Sequence, residues 1–475
     1  MSTLPPNGSR LPGSSPASKR VRPADRRPLA AGSAQGVSTQ GPSFQGASTQ
    51  GASTQGASTQ GASTQGAAGA RSRRALEDCA RGLPIIAICH LSWEWVWQRP
   101  QQFLSRLART HPLLFVETHC SESPFPVVKM RHVEGPCDIT ILEMHLPARR
   151  WHDGHFIDMQ RRRVLKQVLA RDWGAKFAGA ILWVNDPMAV LSFAGQLDEA
   201  MIVYDCMDEL SQFDGAPPMM VERERVLTEV ADVIFCGGRK MRDKRLGING
   251  NTHFYGTGVD CQHFGAAMDA SLPVHPEIAK LHGPVLGYFG VVDERLDYEL
   301  LAALADADPG WSIAMVGPFT KVDPEALPQR PNLHWLGGKA YSELPALTKG
   351  MDVCMMPFAL SAATEFINPT KALEYMAAGK PVVATALDEV KSNFATASKI
   401  ARSHGEFIDH CRKQVAAPCA AMVGRGLKLA AENTWEAIVA KMEGRLLDVF
   451  AAQRAAQADS ARMARTENRR NHPYV

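Results

Sequence analysis

The chain has 475 residues, 45% hydrophobic and 21% charged, a globular composition with room for two or three domains. Its net charge of +3 is unevenly spread, because residues 1–75 hold nine Lys/Arg and one acidic residue, leaving 43 basic and 48 acidic residues beyond them. A mildly acidic body argues against a nucleic-acid binder. No apolar run approaches the ~18 residues of a membrane-spanning helix, and the N-terminus lacks the apolar core of a signal peptide.

Residues 1–80 read as a disordered low-complexity tail, dominated by Pro, Gly, Ser and Gln. Four Gly-Ala-Ser-Thr-Gln repeats run from Gly46 to Gln65. A five-residue period is too short for a helical-repeat solenoid, so the repeats act as a spacer. The flanking basic residues suit weak peripheral contact with an anionic membrane, or a solvated tail with no partner.

Order begins near Arg81. Pro84–Cys89 is an apolar run expected to form the first strand of a parallel sheet. Directly after it stands His90-Leu91-Ser92-Trp93-Glu94-Trp95-Val96-Trp97-Gln98-Arg99-Pro100. Its aromatic faces suit a sugar ring, Arg99 suits a phosphate or carboxylate, and a packed core at a domain junction suits the tryptophans equally. Strands are expected at Leu113–Glu117, Ile181–Val184, Met201–Tyr204 and Asp232–Cys236, with a helix from Val221 to Val230. Residues 126–160 give no clear pattern. Asp205 and Asp208, just past a strand, are candidates to orient acceptor hydroxyls or act as a base.

A second strand–helix series starts at Pro284–Gly290 and continues through Trp311–Val316, Leu333–Leu336, Asp352–Met356 and Pro381–Thr385. Alternating strands and helices imply doubly wound domains, whose ligands sit beyond the carboxyl ends of the strands. Arg295 after the first of these strands is a candidate diphosphate grip, and a surface arginine at a helix start is the equal alternative. Gly290, Gly317 and Gly338 allow close backbone approach at three strand ends. In Asn368-Pro369-Thr370-Lys371-Ala372-Leu373-Glu374-Tyr375, Asn368 suits a helix cap, and Lys371 and Glu374 share one face near the helix start, where a phosphate is favoured. Gly379 and Pro381 end the helix. An ordinary capped α/β helix fits this pattern too. The ten cysteines show no metal-ligand spacing, and Cys206, Cys236 and Cys354 sit in apolar runs as reduced cytoplasmic thiols do.

The Asn368–Thr385 segment resembles the donor-binding helix of bacterial GT-B glycosyltransferases of the group 1 type, and His90–Gln102 resembles an acceptor-side signature of a subset of them. The resemblance implies two Rossmann-like domains facing a cleft: an acceptor domain over 81–265, a donor domain over 266–434, a helix over 435–457 packing back across the junction, and a polar tail over 458–475. It implies Glu374 on the donor ribose, with Gly290, Arg295, Gly317, Gly338, Asn368, Thr370 and Lys371 around the nucleotide diphosphate. Trp93, Trp97 and Arg99 would bind acceptor, and Lys371, Asp205 and Asp208 would serve catalysis. The family's first glutamate falls at Phe366 here, with Glu365 one residue off register. The expected reaction is hexosyl transfer from a nucleotide diphosphate sugar to a glycan or lipid-linked acceptor in cell-envelope or exopolysaccharide synthesis, with retention, without metal and with no resident cofactor. A cytoplasmic enzyme, in contact with the inner membrane face or not, fits best. A non-catalytic scaffold or an epimerase of the same fold is the alternative.

Overall fold

The computed structural model describes residues 82–471 except 96, 214 and 363, with side chains as far as 463. The low-complexity tail expected at 1–80 lies outside the described residues. Two sheets carry the chain. The first has eight strands: β1 (Ile85–Ile88), β2 (Leu113–Ser121), β3 (Val127–His132), β4 (Ile139–Pro147), β5 (Ile181–Val184), β6 (Met201–Cys206), β7 (Val233–Cys236) and β8 (Thr252–Phe254). Their spatial order is β3-β4-β2-β1-β5-β6-β7-β8, parallel except for the antiparallel edge strand β3. The second has six: β9 (Val285–Phe289), β10 (Ser312–Val316), β11 (Leu333–Gly337), β12 (Val353–Met356), β13 (Val382–Thr385) and β14 (Lys399–Ala401), all parallel, in the order β11-β10-β9-β12-β13-β14. In both sheets the order reverses beside the first strand of the series, and such a switch point opens a ligand crevice.

The helices that matter for the site are α1 (Arg99–Leu107), α2 (Gly154–Leu169), α3 (Arg239–Leu246), α4 (Lys371–Ala377), α5 (Asp388–Phe394) and α6 (Trp435–Asn471). Central strands are apolar on both faces because helices cover both sides, as the wholly buried Ile85–Ile88 and Val353–Met356 illustrate. α6 returns to the first domain, where Trp435, Ile438, Val439, Met442, Leu446 and Phe450 join the core of Phe103, Phe115 and Ile181. Trp435 meets Phe103 edge-on at 5.4 Å. The helix runs on to Asn471, so the polar segment from 458 to 471 continues it. Residues 451–471 lack Gly and Pro and are rich in Ala, Arg and Gln, which favour a helix.

The chain crosses between the domains twice, and the crossings lie side by side. Val259 N donates to Asn433 O at 3.0 Å, and Trp435 N to Val259 O at 3.3 Å. On the other side of the junction, Glu389 of α5, with its side chain 2% exposed, accepts from the backbone N–H of Arg239 and of Lys240 at the start of α3. One domain thus caps a helix of the other. Arg239 adds its guanidinium to Glu389 and Asn393, and Lys240 bridges to Glu365 at 2.9 Å and to Asp388. Replacing Glu389 by Ala strands buried donors of α3, and a loss of about 1–3 kcal/mol is expected. Urea denaturation of the variant checks this, and an unchanged midpoint contradicts it.

Candidate active site

Three ends of the second sheet lie next to one another at the cleft. Gly290 follows β9, Gly317 follows β10 and Gly337 ends β11, with φ of +144°, +154° and +67°. Gly290 N donates to Val316 O at 2.8 Å, and Gly317 N to Gly337 O at 2.9 Å. A Cβ on Gly317 would stand 1.7 Å from Gly290 O, and one on Gly290 would stand 2.0 Å from Lys371 Cε. Both positions therefore require glycine. The Lys371 stem lies over the end of β9, with Nζ 5.9 Å from the centre of the Tyr288 ring. Gly338 has no comparable role, since a Cβ there would meet only Pro318 at 3.7 Å and the left-handed backbone belongs to Gly337.

α4 begins later than the sequence suggests. Thr370 holds the cap position in helical geometry, with φ −57° and no side-chain cap bond. Asn368 is not the cap, and its side chain is committed elsewhere. Its Nδ2 donates across the junction to Gly237 O at 2.9 Å, and its Oδ1 accepts from Asn393 at 3.3 Å. Asn368 therefore ties the domains together, which takes its amide from the donor group. The other end forms as expected: Gly379, at φ +68°, donates to Met376 O, and Lys380 N donates to Tyr375 O. α4 has seven residues, so its dipole is small and side-chain cations carry most of the positive charge.

Arg295 supplies the second cation. Asp293 holds its guanidinium through contacts of 2.5–3.0 Å, and the loop between them is fixed by Val292 N to Pro318 O and Asp297 N to Pro357 O. Burial works against the Arg295 charge, but Asp293 more than restores it, so Arg295 is always protonated. Burial also pulls Lys371 below its ordinary value, against the attraction of Glu374, with Arg295 adding repulsion. Glu374 is pushed up to about 7 by burial, with Lys371 opposing. Tyr341 stacks on His263 at 4.1 Å and feels the Glu374 charge, which puts an aromatic pair beside the glutamate.

The facing wall belongs to the first domain. Asp208 reaches the cleft: burial raises its carboxyl, with Arg295 across the cleft and His90 opposing. His90, exposed at the end of β1, is lowered by surrounding protein, with Asp186 and Asp208 opposing. The sequence motif contained His90 without giving it a role. Asp205 and Arg99 are not free for acceptor or catalysis. Asp205 is fully buried and takes Arg99 Nε at 2.9 Å and Asn185 Nδ2 at 3.1 Å. Arg99 also donates to the carbonyls of Tyr255 and Gly256. Trp93 is 4% exposed and packs edge-on against Phe115 at 5.1 Å, so it is core, while its N–H donates to Glu117. Trp97 remains half-buried at the rim. Phe366 packs against the first domain's core and Glu365 is spent on Lys240, so neither stands in for the missing glutamate. Among the described residues no His, Cys, Asp and Glu group is arranged to hold a metal, and Cys206, Cys236 and Cys354 are buried free thiols.

The sign of the Glu374 shift sets a pH dependence. A carboxyl raised in the fold is a destabilising charge that is absent below its unfolded pKa and fully present above about 7. Glu374→Gln is expected to be more stable than the parent at pH 8, on the order of 1–3 kcal/mol, with the difference vanishing near pH 4.5. Urea midpoints at the two pH values measure this, and a pH-independent difference contradicts the shift.

Residues 283–413 match the family model described as glycosyl transferases group 1. Over 261 residues the chain is 28% identical to a Bacillus subtilis (strain 168) protein provisionally named teichuronic acid biosynthesis glycosyltransferase TuaH, covering 51% of this chain and 65% of that protein's length. Among solved structures, sucrose-phosphate synthase from Thermosynechococcus elongatus superposes with a TM-score of 0.58 at 15% identity, over 78% of this chain and 99% of its own. A UDP-forming trehalose-phosphate synthase from Burkholderia xenovorans, solved with glucose-6-phosphate, gives 0.55 at 14% identity, over 77% and 100%. The match over residues 283–413 is thus to the group 1 glycosyl transferases, and the shared two-sheet architecture gives the chain the GT-B fold.

Proposed function

We propose that the protein transfers a hexose from a nucleotide diphosphate sugar to a hydroxyl of a glycan or lipid-linked acceptor. The observation that carries this reading is the two cations, Lys371 and Arg295, beside the side-chain-free ends of β9 and β10. A diphosphate fits such a place because backbone N–H groups and fixed cations stabilise the charge that grows on a leaving phosphate. Glu374, one turn along α4, accepts from the ribose hydroxyls. Tyr341 and His263 flank it on the side of the base.

In the reaction the bond from the anomeric carbon to the diphosphate oxygen breaks, and the acceptor oxygen bonds to that carbon. Asp208, on the opposite wall, receives the acceptor proton. Lys371 and Arg295 supply the positive charge, so transfer proceeds without metal or resident cofactor. Retention of configuration follows from the resemblance to group 1 enzymes. The named role of the Bacillus relative in teichuronic acid biosynthesis supports a cell-envelope polysaccharide as the product. No helix among the described residues is long and apolar enough to cross a membrane, and the reading adopted is a cytoplasmic enzyme working at the inner membrane face.

The rival reading is a non-catalytic scaffold, favoured by Phe366 where the family has a glutamate. Turnover separates the two. Lys371→Ala is expected to lower kcat on the order of 10²–10³-fold, with an unchanged melting temperature, in metal-free assays of nucleotide-sugar consumption. Normal turnover in the folded variant removes Lys371 from the leaving-group site. No turnover in the parent with any nucleotide sugar and glycan acceptor favours the scaffold.

A further inference from the structure

The outer face of the first domain concentrates positive charge. Residues 148–169, the turn before α2 and α2 itself, hold six Lys/Arg (Arg149, Arg150, Arg161, Arg162, Arg163 and Lys166) against two acids. The chain beyond residue 75 has the opposite balance, 43 basic against 48 acidic. Both acids are committed within the fold. Asp153 caps α2 by accepting from Phe156 N at 3.0 Å and pairs with Arg150. Asp158 is buried and takes Arg223 and Ser192 Oγ, each at 2.6 Å. Arg161 turns inward to Asp186 at 3.4 Å. The outward cations keep their charge. Arg149 donates to Pro124 O and Arg162 to Ser192 O, both at 3.1 Å, and a carbonyl orients a guanidinium without cancelling it. Arg163 and Lys166 are exposed on α2, and among the described residues no carboxylate pairs with either. The exposed acids of the neighbouring helix Met220–Val230, Glu222 and Glu229, both bond Arg225.

Apolar side chains stand out of the same face. Met159, 46% exposed, lies between His155 and Arg163 on the outer side of α2. On one flank, Val128 and Met130 of β3 are exposed opposite Met144 and Leu142 of β4, which share a core cluster with Val164, Leu165 and Val168 of α2. Opposite residues of a ladder share a face, so this flank adjoins α2. On the other flank, exposed Leu191 gives its carbonyl to Arg162, and Val221, 62% exposed, precedes the Arg223 that grips Asp158. Phe125, 71% exposed between Pro124 and Pro126, sits on the loop that Arg149 ties to the start of α2.

We infer that this face docks on an anionic lipid bilayer, with α2 along the headgroups, Arg163 and Lys166 at the phosphates, and Phe125, Met159 and Val221 at the acyl boundary. A nucleic acid would answer the cations and leave the apolar side chains in water. The interface of an anionic bilayer answers both, phosphates for the cations and the edge of the acyl layer for the apolar groups. Phe125 and the start of α2 follow the carboxyl ends of β2 and β4, the side on which the cleft opens. Docking there sets the cleft beside the leaflet, within reach of a lipid-linked acceptor. The inference rests on the reading above of an enzyme at the inner membrane face and gives that reading a contact surface.

The test is co-sedimentation of the full chain with vesicles of phosphatidylcholine alone and of phosphatidylcholine with about 30% phosphatidylglycerol, beside retention on heparin–agarose, a polyanion without an acyl layer. Binding to the anionic vesicles is expected, about tenfold or more tighter than to the neutral ones. Arg163→Glu with Lys166→Glu should weaken it about tenfold or more, and Phe125→Ser about threefold or more. Melting temperature and consumption of nucleotide sugar in solution should stay unchanged in both variants. The basic N-terminal residues remain in every variant, so undiminished sedimentation of both assigns the contact to them and overturns the inference. No binding by the parent overturns it as well. Loss of heparin and vesicle binding together on charge reversal, with no effect of Phe125→Ser, points to a polyanion and also overturns it. Expected vesicle results from a protein that binds and consumes no nucleotide sugar overturn the glycosyltransferase reading and leave the docking face standing.

Discussion

Lys371 reaches over the end of β9 only because residue 290 has no side chain, and residue 290 meets β10 only because residue 317 has none. These two contacts bring the lysine, the Arg295 loop and the glutamate of α4 onto one side of the cleft. A methyl group at either glycine would collide at 2.0 Å or less with the Lys371 stem or the Gly290 carbonyl. The helix is too short to hold a diphosphate by its dipole alone, and packed positive charge has to be bought with burial. Lys371 and Glu374 both lie in a desolvated place that disfavours their ionised forms. A ligand carrying negative charge and hydroxyl donors would relieve both.

The junction explains the departures from the family pattern. Phe366, Asn368 and Glu365 stand where donor contacts are expected, yet each is turned toward the first domain: Phe366 into its core, Asn368 onto Gly237 O and Glu365 onto Lys240. With the Glu389 cap on α3, they bind the segment before α4 to the opposite domain. α4 and the facing wall of the first domain are therefore coupled through one set of contacts. Movement at the cleft would have to break the cap or bend the paired crossings at Val259 and Trp435.

Much of the fold was legible in the sequence because buried parallel strands are apolar runs, and those at 85–88, 181–184, 353–356 and 382–385 announce themselves. β3 and β4 were not. β3 is an exposed edge and the outer part of β4 alternates with Glu143 and His145, so 126–160 offers no run to read. β8 has three residues and passes for part of a turn. In the site, local spacing pointed to Lys371, Glu374 and Arg295, whereas it did not show the bonds that hold Arg99, Asp205 and Asn368. Their partners lie 106 residues apart for Arg99–Asp205 and 131 for Asn368–Gly237, a pairing no local pattern reveals. His90 was visible in its motif, but its place beside Asp186 and Asp208 depends on strands far along the chain.

The most direct measurement is calorimetric titration of the protein with UDP, GDP and ADP in the absence of divalent metal, repeated with Lys371→Ala and Glu374→Ala. One nucleotide is expected to bind with a micromolar Kd, on the order of −8 kcal/mol, weakened at least tenfold by either substitution with the melting temperature retained. Equal affinity in the parent and both variants, or no binding of any of the three, would contradict a nucleotide diphosphate site at the ends of β9 and β10.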